Sequence, residues 1–356
     1  MIRKNIQKMT PYQPPLEGRS EKNYLLLDFN EMTREPNLGV KKALIEFINS
    51  GRLHIYPEYG SLDAEISKYA GVRANQVMTT NGSDQGIDIV MRAILERGEK
   101  VIIPSPAFAM HYQSAEIQGA RILKPSYNRD GSFPLGAVIK LMEGGGIKLL
   151  VFANPNNPLG TWIDKKDILK ILEVAQRRGV AVLHDEAYFE FSKITCVDLI
   201  NLYDNLFITR SFSKTLGIVA TRPGYLLSQE NNIKELLKIR GPYDINMFAK
   251  IAILAALKNL DYVNRYTKQV MEISKPMLEN FFSKKGIYFF PSRANFLFIK
   301  IKNSQKIIDF LKKNGILVRP KRGPGGVEGI RISIGTLKDT EKFIKVFSKI
   351  TKRVTI

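Results

Sequence analysis

Apolar residues recur with two alternating periods in the central part of the chain. Short β-branched and leucine-rich runs occupy 100–104, 147–153, 180–185 and 206–210, each ending in polar residues. Between them lie helical spacings such as 165–178, where Ile168, Leu169, Ile171, Leu172 and Val174 return at three- and four-residue intervals. A second amphipathic stretch follows Asn81-Gly82-Ser83-Asp84-Gln85-Gly86 and carries Ile87, Val90, Met91, Ile94 and Leu95. Strands alternating with helices predict an α/β fold with a mostly parallel central sheet. Ligands of such sheets sit beyond the carboxyl ends of the strands, and the polar clusters of this chain fall at those ends.

After about Gly241 the pattern changes. A helical stretch over 246–284 gives way to strand candidates at 296–301 and 330–334, which predicts a smaller α+β domain. The glycine-rich stretch 323–329 lacks dinucleotide-fingerprint spacing and reads as a flexible loop. The expected division is a large domain over 35–245, with 1–34 and 246–356 forming the small one.

Composition changes this picture little. The single cysteine, Cys196, excludes an intrachain disulfide and is compatible with a reducing, cytoplasmic location. Residues 1–15 carry Arg3, Lys4 and Lys8 without an apolar core, so no secretory signal is expected. No run approaches the roughly 18–20 apolar residues of a membrane span, so no membrane partner is expected. His54, His111 and His184 lack metal-ligand spacing, and no metal is expected. The net charge of +20 raises a nucleic-acid reading. Much of it sits beyond residue 250, where 22 Lys/Arg face 7 Asp/Glu. No basic run there is interleaved with stacking aromatics. The surplus reads as a solvated surface that can also steer an anionic substrate, with no nucleic-acid partner.

Four polar clusters carry candidate chemistry. The turn around Ser83 and Asp84 opens a helix, whose free N–H groups can bind a phosphate or simply be capped. Asn154-Pro155-Asn156-Asn157-Pro158-Leu159-Gly160 makes a sharp loop in any protein, but the Asn157 amide sits where it can point into a site. Asp185 ends a buried strand, so its carboxylate needs a partner: an arginine, or the protonated ring nitrogen of a cofactor. Lys214, in Ser211-Phe212-Ser213-Lys214, sits among hydroxyls after a strand, where desolvation can make it a nucleophile.

In their order and spacing these clusters, with Tyr188 after Asp185 and Arg222 after Lys214, resemble the signature of the class I/II, fold-type-I aminotransferases that use pyridoxal 5'-phosphate. The intervals, 28 residues from Asn157 to Asp185 and 29 from Asp185 to Lys214, support the resemblance. It implies that Lys214 joins the cofactor as a Schiff base and shuttles a proton. Asp185 would pair with the pyridine nitrogen, while Tyr188 and Asn157 would bond the ring hydroxyl oxygen. Ser211, Ser213, Arg222 and the backbone of Ser83 and Asp84 would hold the cofactor phosphate, and Phe108 would stack on the ring. Tyr56 would reach the phosphate of a neighbouring subunit, implying a homodimer with shared active sites.

The chain resembles in particular the histidinol-phosphate aminotransferase family. The motifs are Met9-Thr10-Pro11-Tyr12-Gln13, Leu27-Asp28-Phe29-Asn30-Glu31, the segment ending in Arg319-Pro320, and Ile330-Arg331 through Thr336. By resemblance Tyr12, Asn30, Asn157, Arg319 and Arg331 would contact the substrate, with histidinol phosphate as amino donor and 2-oxoglutarate as acceptor. Two departures are visible: no proline follows Met32, and Val219-Ala220-Thr221 replaces a glycine-containing stretch before Arg222. Threonine-phosphate decarboxylases and aromatic aminotransferases share much of the pattern. Two readings from other classes stand further off. Ser211–Lys214 also spells the S-x-x-K of penicillin-recognising enzymes, but the downstream elements of that motif set are missing. A non-catalytic polyanion-binding protein rests on net charge alone.

Overall fold

A computed structural model describes residues 1–20 and 22–351; the last five residues of the expected small domain lie outside them. Twelve strands are present among the described residues: β1 (Leu25–Leu26), β2 (Val77–Asn81), β3 (Lys100–Ile102), β4 (Arg121–Leu123), β5 (Ile147–Ala153), β6 (Ala181–Asp185), β7 (Leu206–Ser211), β8 (Pro223–Leu227), β9 (Phe296–Lys300), β10 (Ile316–Leu317), β11 (Arg319–Arg322) and β12 (Glu328–Ser333). Seven form one sheet in the order β2-β8-β7-β6-β5-β3-β4. Only β8 runs antiparallel to its neighbours, so the sheet is mostly parallel, as the alternating pattern predicts.

Period-two alternation explains why both faces of this sheet are buried. In β5, Leu150 and Phe152 enter one apolar core while Leu149 and Val151 enter the other. Likewise β7 sends Leu206 and Ile208 one way and Phe207 the other. The Lys165–Arg177 helix buries Ile168, Ile171, Leu172, Val174 and Ala175 on the first side. The Gly82–Ile94 helix buries Ile87, Val90 and Met91 on the second.

A separate core surrounds the antiparallel sheet β11-β12-β9 and the two-stranded pair β1-β10. It joins Leu27 and Met32 near the N-terminus to residues from Tyr266 to Ile350. The stretch 246–284 is a series of helices, not one. Met247–Leu257 packs on the large core through Ala249, Ala252, Ile253 and Ala256. Leu260–Lys268, a π-helical turn Gln269–Ser274 and Lys275–Lys284 follow. Pro276 has no N–H for the carbonyl four residues back, and the turn before it widens. The 323–329 stretch closes the β11–β12 hairpin, with Gly323 N–H donating to Val327 O at 2.7 Å. No helix among the described residues is long and apolar enough to cross a membrane.

Candidate active site

Strand register brings the separated polar clusters together. Ala153 on β5 pairs with Asp185 on β6, and Asp185 pairs with Thr209 on β7. The loops after these strands therefore open side by side into one cleft of about 520 Å³. Every residue singled out from the sequence lines it except Tyr56. Tyr56 lies outside, 73% exposed and stacked on Tyr243 at 4.5 Å between ring centroids.

One end of the cleft suits a phosphate. The Gly82–Ile94 helix starts there without a side-chain cap on its first N–H groups. The Ser213 hydroxyl is buried and has no hydrogen-bond partner among the described residues. Ser211 Oγ accepts from Ser213 N–H at 3.2 Å. Arg222 donates to Asp84 at 3.0 Å from a left-handed backbone (φ 57°), a conformation a non-glycine residue adopts only under constraint. Gly82 (φ 73°) makes the room: a Cβ there would lie 2.6 Å from Arg222 Nη2.

At the inner end Asp185 is buried, and no arginine is among its partners in the described residues. Its Oδ2 lies 3.2 Å from His111 Nε2, while Oδ1 accepts from Ala187 N–H at 3.1 Å and Thr209 Oγ at 3.3 Å. His111 is fully buried, and sequence reading passed it over as one of three scattered histidines. Its helix, Ala109–Gln118, starts directly after Phe108, whose ring meets the imidazole edge-on at 5.7 Å.

Lys214 closes the short turn after β7, and its Nζ donates to Phe29 O at 3.1 Å. Burial, with Arg331 adding to it, lowers its amine to about 8, while Asp84 and Glu31 oppose the shift. Beside it runs a chain of donors and acceptors. Tyr188 OH accepts from Asn30 Nδ2 at 2.9 Å and Asn157 Nδ2 at 3.1 Å. Asn157 Oδ1 in turn accepts from Arg331 Nη1 at 2.7 Å, and Arg331 Nη2 donates to Asp28 O at 2.6 Å. Burial pushes the Tyr188 phenol up, with Arg331 opposing.

Arg331 is 5% exposed, yet none of its contacts is a carboxylate and its Nε has no partner among the described residues. Desolvation lowers its guanidinium from the usual value. Arg319, its cross-strand neighbour, lies over the Phe29 ring at 4.9 Å, and Arg19 lies over the same ring at 4.6 Å. The nearby carboxylates Asp28 and Glu31 are both taken by Arg19. Arg319 and Arg331 are thus buried cations without a carboxylate partner among the described residues, an arrangement that calls for an anionic ligand. Beneath it His184, Glu186 and Cys196 converge, but the Glu186 carboxylate is occupied by Arg210 at 2.8 Å and Cys196 N–H at 2.8 Å.

These residues fit pyridoxal phosphate. The uncapped helix start, the orphaned Ser213 hydroxyl and Arg222 suit its phosphate. The buried Asp185 suits its ring nitrogen, and the Lys214 amine, lowered by burial, suits its aldehyde. Comparison with known proteins agrees. A family model for aminotransferase class I and II matches residues 22–347. The chain is similar to the histidinol-phosphate aminotransferase of Thermoanaerobacter sp. (strain X514), 33% identical over 321 residues, which cover 89% of this chain and 90% of the relative. Its fold is similar to that of the histidinol-phosphate aminotransferase of Sinorhizobium meliloti in complex with pyridoxal-5'-phosphate. The TM-score is 0.88 at 20% identity, over 99% of this chain and 98% of the other. An L-threonine-O-3-phosphate decarboxylase from Porphyromonas gingivalis shares the fold at a TM-score of 0.78 and 20% identity, over 92% and 99% of the two chains. The chain belongs to the class I and II aminotransferases, whose cofactor is pyridoxal phosphate.

Proposed function

We propose that this enzyme transfers the amino group of histidinol phosphate to 2-oxoglutarate. The observation that carries the reading is the buried Arg331 beside Arg319, both in the cleft and without a carboxylate partner. Guanidinium forks in this state suit the oxygens of a phosphate or a carboxylate. Tyr12, half-exposed on the N-terminal arm, lines the same part of the cleft and adds a hydroxyl.

When bound, pyridoxal phosphate supplies an aldehyde that takes up the amino group and a ring that draws electrons from the substrate α-carbon. The chain's own residues then have distinct tasks. Lys214, with its amine near 8, offers far more neutral nitrogen at physiological pH than an ordinary lysine and can accept and return a proton at Nζ. Asp185 holds a negative charge against the ring nitrogen, with His111, Thr209 and the Ala187 amide fixing its carboxylate. Tyr188 and Asn157 orient the ring through its hydroxyl oxygen, and Asn30 buttresses Tyr188. The backbone N–H groups of Ser83 and Asp84, with Ser211, Ser213 and Arg222, would hold the cofactor phosphate, and Phe108 would cover the ring. Asn30, Asn157, Arg319, Arg331 and Tyr12 receive the substrate.

A homodimer is part of the same proposal. Leu38, Ile45, Ile48, Leu53, Ile55 and Tyr56 are all exposed within one stretch, which supports a face covered by a second copy. Tyr56 would then serve the partner's cleft. The division into domains 35–245 and 1–34 with 246–356 also stands as our proposal, the Met247–Leu257 helix reaching across to the large core. The deciding assay compares histidinol phosphate, phenylalanine and threonine phosphate as substrates of the holoenzyme with 2-oxoglutarate present. Preference for histidinol phosphate supports the reading. Preference for phenylalanine, or carbon dioxide release from threonine phosphate, overturns it.

A further inference from the structure

Strand β11 adds a third cation, Lys321, to the pair Arg319 and Arg331. Lys321 stands two residues beyond Arg319, so the strand's alternation puts both on one face of the β11–β12 hairpin. Arg331 belongs to that face too, because its Cα partner across the hairpin is Arg319. Lys321 itself faces Gly329, which has no side chain, and the Phe298 ring leans to within 2.5 Å of where a Cβ there would stand. The ammonium therefore sits over an apolar floor, and it lines the same cleft as Arg319, Arg331 and Tyr12. Among the described residues the Lys321 ammonium has neither a hydrogen bond nor an ion pair. Asp28 and Glu31 are held by Arg19, and Asp84 by Arg222. Burial first, then Arg331 and Arg319, lower the Lys321 amine to about 7.

Counting donors shows what this cluster is suited to. A carboxylate has two oxygens and one charge, which a single guanidinium fork satisfies. Against glutamate, the two carboxylates occupy the two guanidinium forks of Arg331 and Arg319, and Lys321 would remain an uncompensated charge. A phosphomonoester brings three terminal oxygens and nearly two charges, enough to engage all three cations. We propose that Lys321 is a substrate-binding residue that contacts the phosphomonoester of the amino donor and sets the preference for phosphate over carboxylate. The identity of that donor rests on the function proposed above; the anion chemistry rests on the hairpin.

The test uses the holoenzyme and its Lys321→Met and Lys321→Arg variants. Inorganic phosphate is titrated as a competitive inhibitor of the half-reaction with glutamate, and kinetics are measured with histidinol phosphate and with glutamate as donors. Loss of one charge-assisted contact weakens binding by about 10- to 100-fold. In Lys321→Met we expect the phosphate inhibition constant and the KM for histidinol phosphate to rise by that factor relative to the KM for glutamate. We expect kcat to change little and Lys321→Arg to recover most of the loss. Equal losses for glutamate and histidinol phosphate would mean a structural role and overturn the proposal, as would wild-type phosphate inhibition in Lys321→Met. If the wild-type enzyme rejects histidinol phosphate but loses phosphate inhibition in Lys321→Met, the donor assignment fails and the Lys321 site stands. Wild-type enzyme indifferent to inorganic phosphate would sink the Lys321 site itself.

Discussion

Replacing Lys214 by Met in the cofactor-free protein is expected to stabilise it at neutral pH. Burial, reinforced by Arg331, lowers the folded-state amine from 10.5 to about 8. That difference corresponds to about 3 kcal/mol of penalty for keeping the ammonium in the fold. The sign follows from proton counting. Between about pH 8 and 10.5 the unfolded chain binds more protons at this lysine than the folded one, so stability rises with pH across that window. Below about 8 both states are protonated and the whole penalty is present. Methionine fills a similar volume without the charge, but gives up the Nζ–H bond to Phe29 O, worth about 1 kcal/mol. The net gain at pH 7 is about 2 kcal/mol. At pH 11 the lysine is neutral in both states, and the variant is about 1 kcal/mol less stable than wild type. Urea titrations of both cofactor-free proteins at the two pH values measure this directly, provided the m-values match. A variant that is less stable at pH 7, or one whose difference from wild type is the same at both pH values, would refute the reasoning.

Further outcomes follow from the same geometry. Asp185→Asn removes the charge set against the ring nitrogen while keeping the shape, so kcat is expected to fall by about 10²- to 10³-fold with cofactor still bound; near-normal turnover of a yellow variant would remove Asp185 from the mechanism. Gly82→Ala places a Cβ 2.6 Å from Arg222 Nη2, a flexible group that can move aside. The left-handed backbone of Gly82 adds about 1–2 kcal/mol of strain; the fold is expected to survive it while cofactor affinity, read by absorbance titration, weakens by about 10- to 100-fold, and unchanged affinity would show that Arg222 does not hold the phosphate. Arg331→Ala is expected to lower kcat/KM by about 30-fold or more for glutamate and histidinol phosphate alike, in contrast to the selective effect at Lys321. A loss confined to one donor would reassign Arg331.

The large sheet was legible because β5, β6 and β7 bury both faces and so read as near-continuous apolar runs ending in polar residues. Strand β8 was not, since Pro223-Gly224 opens it and its direction is set by the strands on either side. Asn157, Asp185, Tyr188 and Lys214 stood out through the family resemblance of their order and spacing, and they meet because the ends of β5, β6 and β7 open onto a common edge. His111 left no such signal: it reaches Asp185 across 74 residues through helix packing alone. Lys321 was hidden among neighbouring charges, in Arg319-Pro320-Lys321-Arg322, where the family resemblance singled out Arg319 alone and the other two cations read as solvated surface. Only the register of β11 on β12 separates the cleft-facing Lys321 from the exposed Arg322. The series of helices after residue 246 blurred into one stretch because its breaks, around Asn259 and before Pro276, interrupt the apolar period only briefly.

The central claim is that Lys214 is the residue to which the cofactor is joined. Borohydride reduction of the holoenzyme fixes that bond, and peptide mass spectrometry then locates the added pyridoxyl-phosphate group. We expect the group on the peptide carrying Lys214, with loss of the visible absorbance band and of activity in step with labelling. Label on another lysine, Lys321 included, with Lys214 unmodified, would contradict the account.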